Sequence, residues 1–466
     1  MTKLYCLPLP WREPIDALTA LGEETGVLGF IGGGTHPMAR WSCIMDQPVM
    51  VHVWQDGDAT HPFDGLQATL DAAALKAEPG LGPFQGGWAG LLSYELGRAF
   101  EVLPDLPDLP GSKTTDVNWP DLWLGLYDTL AVFDAHKKRC FVLSWGLGSG
   151  LVQEGGLAAE KAAALAQRLE IQYERASTGV GPGLKPLKTR AACETAIEKA
   201  ICYIQSGDIF QANISASFGG QLAHQDTPSA LFKRLVTRHP SPFATFLSLG
   251  DKTVVSHSPE RFVSRTPQGQ LETRPIKGTA PRNSKPELDQ ANAQALRDSI
   301  KDRAENLMIV DLMRNDLARV CLPGSVKVPR LCALESFSTV HHLVSDVIGQ
   351  QKPRLGFFDA LSASFPPGSI TGAPKVRAME IITELEGERR GPWCGSMIRV
   401  GFDGRADSNV LIRTAACALI NAQWHVTARA GAGIVADSIA SLEYDEMLMK
   451  VRALRVAVRN APSGAI

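Results

Sequence analysis

The chain has 466 residues, 44% of them hydrophobic and 21% charged, enough to bury a large core and too apolar for a disordered chain. Its formal net charge of -2 at pH 7 leaves no basic field to hold nucleic acid, and no run of 18 apolar residues is present to span a membrane. Nine cysteines, an odd number scattered without a C-x-x-C pair, fit reduced thiols in a cytoplasmic protein better than a disulfide framework or a zinc site.

In chain order, MTKLYCLPLPWREPIDAL carries prolines and charges where a signal peptide needs an unbroken apolar run. GFIGGGTHPMARWS and PFQGGWAGLLSYELGR hold consecutive glycines, but neither has the spacing of a phosphate-cradling loop, so both read as structural turns. LAAEKAAALAQRLEIQYERA is rich in strong helix formers, and STGVGPGLKP after it reads as a linker. The expected organisation is an N-terminal region 1–176, a linker 177–188 and a catalytic domain 189–458.

The second half opens with a helix whose Ala196, Ala200 and Ile204 share one face and which Gly207 ends, followed by the alternating strand DIFQANISASF. KPELDQANAQALRDSIKDRAENLMIVDLMRNDL reads as one long helix with an apolar stripe at Leu296, Ile300, Ala304 and Leu307. FPPGSITGAPKVRAMEIITELEG is a loop entering a helix, with Pro374 at the first helical position and Gly387 just past the end. Strands return at SMIRVGFDG, SNVLIRTAACAL and WHVTARAGAGIV, and SLEYDEMLMKVRALRVAV is a final helix. Sheets with flanking helices and no regular βαβ alternation predict an α+β fold.

Several residue types stand out for their chemistry. Asp302 and Glu305 lie three apart on one helix face, as do Glu443, Glu446 and Lys450 at i, i+3 and i+7. Such pairs are common on solvated helices; brought together from two helices, they would suit Mg²⁺. SITGAPK offers backbone N–H groups at a helix start, and Arg413 is a lone charge among the apolar residues of VLIRTA. Gly431 and Gly433 flank Ala432, which permits a bend or a close approach to a ligand. His341 and His342 read as core residues or ligands, and GERRG at 387–391 as a solvated turn. Glu260 and Lys277 sit at turn-like breaks beside Pro259 and Pro275; alone, a lysine before a glycine reads as a surface turn.

Nine segments in one order change that reading: GDIFQANIS, SPERF, RPIKGT, AENLMIVDLMRNDLARV, HLVSD, FPPGSITGAPK, IRTA, AGAGIV and EYDEMLMK. Together they resemble the chorismate-utilising enzyme family over about residues 190–455, and PFQGGWAGLLSYELGR looks like that family's amino-terminal region. The resemblance implies large, intertwined antiparallel sheets with flanking helices, the anthranilate synthase component I-like fold, around a deep chorismate site with Mg²⁺. By position it makes Glu305 and Glu446 direct metal ligands, with Asp302 and Glu443 supporting them. It assigns Thr279, Arg413, Gly431, Gly433 and Lys450 to the carboxylate and pyruvyl groups of chorismate. His342 would lie near the ring, Gln211, Gly278, Thr371, Trp393, Ile412 and Ala432 would complete the substrate site, and Glu260 would act as general acid/base at the leaving hydroxyl.

Two positions discriminate within the family. Isochorismate- and salicylate-forming members look alike in carrying a lysine base where this chain has Gln211, and a neutral amide cannot take a proton from attacking water. Anthranilate-forming members carry a small residue where this chain has Lys277. The resemblance is therefore to the aminodeoxychorismate-forming branch: Lys277 would attack C2 of chorismate, and ammonia would then displace it to give 4-amino-4-deoxychorismate. That chemistry requires a lysine pKa pulled down from about 10.4. The alternative is anthranilate synthase component I, with Lys277 a bystander. Neither a Gly-x-Cys-x-Gly turn nor a His-x-Glu pair occurs, so the expected ammonia source is a separate glutamine amidotransferase subunit. Some relatives also bind tryptophan; the corresponding pocket here would comprise Ile31, Met38, Ala39, Arg40, Trp41, Pro242, Phe243 and Ala244, without the serine usual in its N-terminal loop.

Overall fold

Strands from both ends of the chain interleave in two antiparallel sheets. The computed structural model describes residues 3–73, 75–104, 117–170, 179–337 and 340–460. A 12-stranded sheet runs from Tyr5–Leu9 at one edge to Gly372–Ala373 at the other, and in its middle Leu28–Ile31 pairs with Phe243–Ser248. A 10-stranded sheet runs from Ile276–Pro281 to Met50–Trp54, with Gly87–Leu92 pairing Ser396–Gly401 in its middle. The segments before and after the expected linker thus contribute strands to both sheets. Residues 171–178, the end of the helix-forming stretch and the start of that linker, lie outside the described residues; further on, Lys185–Pro186 pairs with Phe218–Gly219.

The alternation of side chains explains the layering. In GWAGLL, Trp88 and Leu92 join a core that includes helices Ile300–Val320 and Phe357–Ser364, while Ala89 and Leu91 join a core between the sheets. The latter packs them against Met45, Val132, Leu247 and Val254 of the other sheet. With both faces covered, central strands read as unbroken apolar runs. On the far face of the 12-stranded sheet, Ile214, Phe246 and Ala428 pack with residues of helices Pro14–Leu21, Arg190–Gln205, Pro228–Arg238 and Ala440–Arg459.

One expectation about a helix is corrected. The stretch read as a single long helix is two, Pro286–Asp298 and Ile300–Val320, broken at Ser299, whose extended backbone and hydroxyl cap the Asp302 N–H at 3.2 Å. The break resets the helical phase. Ile300 is 85% and Leu307 54% exposed, and the buried face is Ile309, Val310, Met313 and Leu317.

The two sheets are joined where strands change sheet. Lys252–Ser258 belongs to the larger sheet and Arg261–Arg265 to the smaller, so Pro259 and Glu260 form the crossing. The return crossing is residues 410–413, between Ala406–Asn409 and Thr414–Ile420. The Val410 N–H donates to the Glu260 carbonyl at 3.1 Å and ties the two crossings together.

Candidate active site

Glu260 and Arg413 stand on these adjacent crossings. Arg413 is therefore not inside a strand, as its apolar neighbours suggested; it sits in the break, with a left-handed backbone at φ 52°. Burial lowers its proton affinity while Glu260 opposes, and among the described residues its guanidinium has no hydrogen-bond or ion-pair partner. A desolvated guanidinium left open in this way is a carboxylate receptor. Glu260 is 4% exposed. Burial pushes its carboxyl up to about 7, against the Ser369 hydroxyl, the Lys277 charge, the Ile276 N–H and Arg413, which pull it down.

Lys277 belongs to strand Ile276–Pro281, which pairs with Val340–Gln350. The register slips between Lys277 and Thr279 because Gly278, at φ 82°, bulges out against Asp302. A Cβ on Gly278 would come within 3.0 Å of the Asp302 side chain, so a glycine is needed twice over. Although the residue as a whole is half-buried, the amine of Lys277 reaches inward: Nζ lies 3.2 Å from the point a Cβ on Gly433 would occupy. Burial lowers the Lys277 pKa and Lys450 acts in the same direction, against Glu305, Glu260 and Glu446.

Gln211 Nε2 lies 2.7 Å from that same point over Gly433. Its side chain is fully buried, and neither amide atom has a partner among the described residues. An orphaned buried amide is costly unless a ligand completes it. Gly431 makes the same kind of room: a Cβ there would meet Asn213 Oδ1 at 2.6 Å and the Trp393 ring at 3.0 Å. Between the two glycines, the Ala432 methyl packs in the helix-side core, so strand alternation turns both glycines towards the site.

Thr279 Oγ1 and His342 Nδ1 are 2.9 Å apart. Burial, and secondarily Arg413, push the His342 pKa down to about 4, which keeps the imidazole neutral. Thr371 is fully buried and its hydroxyl donates to the Pro367 carbonyl at 3.2 Å. The Ile412 carbonyl, in the second crossing, accepts the Ser256 hydroxyl at 3.3 Å.

The two acidic helices converge, which spacing alone left open. Lys301 Nζ stands 3.9 Å from both Glu305 Oε1 and Glu443 Oε1, bridging the helices. Lys450 Nζ is 2.6 Å from Glu446 Oε1 and donates to the Gly431 carbonyl at 2.9 Å. Burial pushes the Glu305 pKa up and Asp302 and Glu443 add to it, while Lys277 and Lys301 pull it down. No three potential ligands among the described residues close on one ion-sized point. Carboxylate oxygens alone, crowded and partly desolvated, are nonetheless the donor set a hard divalent cation takes, and the amines of Lys301 and Lys450 now offset part of their charge.

Of the residues expected around tryptophan, Met38, Trp41, Pro242, Phe243 and Ala244 line a pocket with Phe30 and Gly32. Ile31 is buried in the helix-side core, Ala39 packs under Gly32, and Arg40 pairs with Asp134 at 2.7 Å. GERRG is not a solvated turn: Arg390 is 4% exposed and Arg389 pairs with the buried Asp121. Sequence reasoning passed over Ser369, Asn213, Lys301 and Arg390. Two of them carried a signal, the i, i+4 spacings of Lys301 to Glu305 and of Arg390 to Glu386.

The sequence pattern of the chorismate binding enzyme family matches residues 33–456. Aminodeoxychorismate synthase component 1 of Salmonella typhimurium is 39% identical over 97% of this chain and 98% of its own length. Anthranilate synthase component 1 of Streptomyces coelicolor is 36% identical, covering 93% of this chain and 83% of its own. The crystal structure of anthranilate synthase component I from Streptococcus pneumoniae superposes with a TM-score of 0.77 at 29% identity, over 91% of this chain and 93% of that one. The interleaved α+β architecture is thus the anthranilate synthase component I fold, and the chain belongs to the chorismate binding enzyme family.

Proposed function

We propose that the chain converts chorismate and ammonia to 4-amino-4-deoxychorismate through a covalent bond to Lys277. The observation that carries this reading is the burial of the Lys277 amine beside Gly433, Gln211 and Glu260. Desolvation disfavours charge on both groups of the Lys277–Glu260 pair, so it favours a neutral amine and a protonated carboxyl together. Those are the forms that a nucleophile and a general acid need.

In the proposed reaction the Lys277 lone pair forms a bond to C2 of the ring. The two ring double bonds shift along, and the C4 hydroxyl leaves as water with the proton of Glu260. The resulting Glu260 carboxylate takes the proton from the alkylated amine. Ammonia then bonds to C4, the double bonds shift back, and the C2–nitrogen bond breaks as Glu260 returns its proton to the departing amine. This leaves neutral lysine, a Glu260 carboxylate and an ammonium group at C4 whose proton can restore the acid. Arg413, without a protein partner among the described residues, is the receptor for a substrate carboxylate. Gln211, neutral and uncommitted, is a donor and acceptor for the ring's polar edge but no base for water.

Glu305 and Glu446, with Asp302 and Glu443 behind them, would hold Mg²⁺, which supplies charge neutralisation for a substrate carboxylate. The proposed ammonia source is a glutamine amidotransferase partner; the relatives named component 1 support a second component. No helix among the described residues is long and apolar enough to cross a membrane.

The test incubates the chain with chorismate, Mg²⁺ and ammonium salt and identifies the product by chromatography, alongside mass spectrometry of the protein. The expected product is 4-amino-4-deoxychorismate, with an adduct on Lys277 that Lys277→Ala abolishes and with no turnover on glutamine alone. Anthranilate as the product, or an adduct on a different lysine, overturns the proposal.

A further inference from the structure

Arg390, in the stretch that reads as a solvated turn, is a deeply buried cation beside the site, its side chain 1% exposed. Its guanidinium uses all three nitrogens. Nε and Nη2 donate to the two oxygens of Glu386 at 2.9 and 2.7 Å. Nη2 also donates to the Asn213 carbonyl at 2.6 Å, and Nη1 to the Ile370 carbonyl at 3.2 Å. The guanidinium carbon stands 4.7 Å from the Tyr94 ring and 5.0 Å from the Trp393 ring. The Arg390 and Gly391 N–H groups are held by the Glu95 carboxylate at 2.6 and 3.0 Å.

The acceptors lie on different walls of the site. Two of these walls, the Asn213 strand and the Ile370–Thr371 loop, also meet directly, through Asn213 Nδ2 to the Ile370 carbonyl at 3.0 Å and the Asn213 N–H to the Thr371 carbonyl at 2.7 Å. Asn213 is two residues from Gln211 on the same strand, and its side chain faces Gly431. Ile370 lies between Ser369, which hydrogen-bonds Glu260, and Thr371. Trp393 is the ring against Gly431. Glu386 extends the anchor, since it accepts the Ser215 N–H at 2.9 Å and the Arg429 guanidinium at 3.2 Å. A buried ion pair is a weak source of net stability, so a guanidinium in this place contributes geometry above all.

We infer that Arg390 is a positioning residue for the chorismate site: its single planar fork keeps the Gln211 strand, the Ser369–Thr371 loop and the Trp393 ring in mutual register. The inference rests on the reading that chorismate binds here, and is indifferent to which product is made. Lysine keeps the charge but cannot span three acceptors lying in different directions, so Arg390→Lys separates fold from register.

The experiment follows chorismate disappearance, which counts any product, for wild type, Arg390→Lys and Arg389→Ala, each with a thermal melt. Arg389→Ala is the control, because it strips a partner from the buried Asp121 without touching the site walls. Arg390→Lys is expected to lower kcat/KM roughly tenfold or more, since misplaced catalytic groups lose rate steeply. The Ile370 carbonyl then loses one of its two donors and keeps the Asn213 amide at 3.0 Å. The slack this gives the loop is expected to weaken the Ser369 hydrogen bond to Glu260 and so to move the alkaline limb of the pH profile upward. Lys277 and Arg413, the charges that face Glu260, are the same in both proteins.

Arg389→Ala is expected to melt lower with its kinetics unchanged. If Arg390→Lys does not fold, Glu386→Gln, which removes the anchor and keeps the guanidinium, is expected to show the same two changes. An Arg390→Lys protein that matches wild type in kcat/KM and in the alkaline limb overturns the inference, as does an equal kinetic change in Arg389→Ala. A wild-type chromatogram showing another product would refute the proposed function and leave this comparison standing.

Discussion

Glu260→Gln removes an ionisable group while keeping its shape, and it separates what Glu260 does for the reaction from what it does to the fold. Moving a carboxyl from an ordinary 4.5 to about 7 makes its ionisation unfavourable in the folded state. At 1.36 kcal/mol for each tenfold change in proton affinity, the effect approaches about 3 kcal/mol. The sign follows from linkage: the folded chain holds this proton more tightly than the unfolded chain. The stabilising contribution is therefore complete below pH 4.5, and it is lost as the pH rises to about 7. Glutamine, which never ionises, escapes that loss.

Urea unfolding of both proteins at pH 5, 6, 7 and 8 measures the difference. The variant is expected to gain on wild type by up to about 3 kcal/mol between pH 5 and 8, while its kcat falls roughly 10²–10⁴-fold for want of the acid. The partner charge Lys277 works against the full gain, so the widening of the gap with pH is the sharper readout. A variant that is less stable at pH 8, or a gap that does not widen with pH, refutes a buried, proton-holding Glu260.

Three further outcomes follow from the geometry. Gly433→Ala puts a methyl 2.7 Å from Gln211 Nε2 and 3.2 Å from Lys277 Nζ, and is expected to lower kcat/KM at least roughly tenfold; steady-state kinetics beside a thermal melt check it. Arg413→Lys forfeits a forked receptor for a carboxylate, and is expected to weaken chorismate binding by about 1.5–3 kcal/mol, roughly 10- to 100-fold by calorimetry. Wild type is expected to melt at higher temperature as Mg²⁺ is added, and Glu305→Gln to lose most of that rise. An unchanged rise in Glu305→Gln would remove that carboxylate from the metal site.

Much of the candidate site was legible because its residues are dictated by simple periods. Three-residue steps put Asp302 with Glu305, and Glu443 with Glu446, on single helix faces, a four-residue step added Lys450 to Glu446, and a two-residue step put Gly431 and Gly433 on one strand face. The ordered motifs point to the family without any coordinates. What escaped was every relation carried by the third dimension. Lys301 joins two helices some 140 residues apart in sequence only because they pack side by side. Arg413 reads as a strand residue until the chain is seen to change sheets there. Arg390 is the sharpest case, since two adjacent arginines beside a glycine have the composition of a surface turn, and only the carboxylates of Glu386 and Glu95, distant in sequence or on another element, make burial tolerable. The Ser299 break was hidden because serine, serving as a cap, looks no different from serine inside a helix.

The interleaving of the two sheets also sets a timetable for synthesis. Strand Gly87–Leu92 emerges from the ribosome early, yet one of its two neighbours is Ser396–Gly401, about 300 residues later. At roughly 5–20 residues per second, an apolar edge waits about 15–60 s for its cover. During that interval GWAGLL is an aggregation-prone surface, so a cell that makes this enzyme has to shelter a half-built sheet until translation is nearly over.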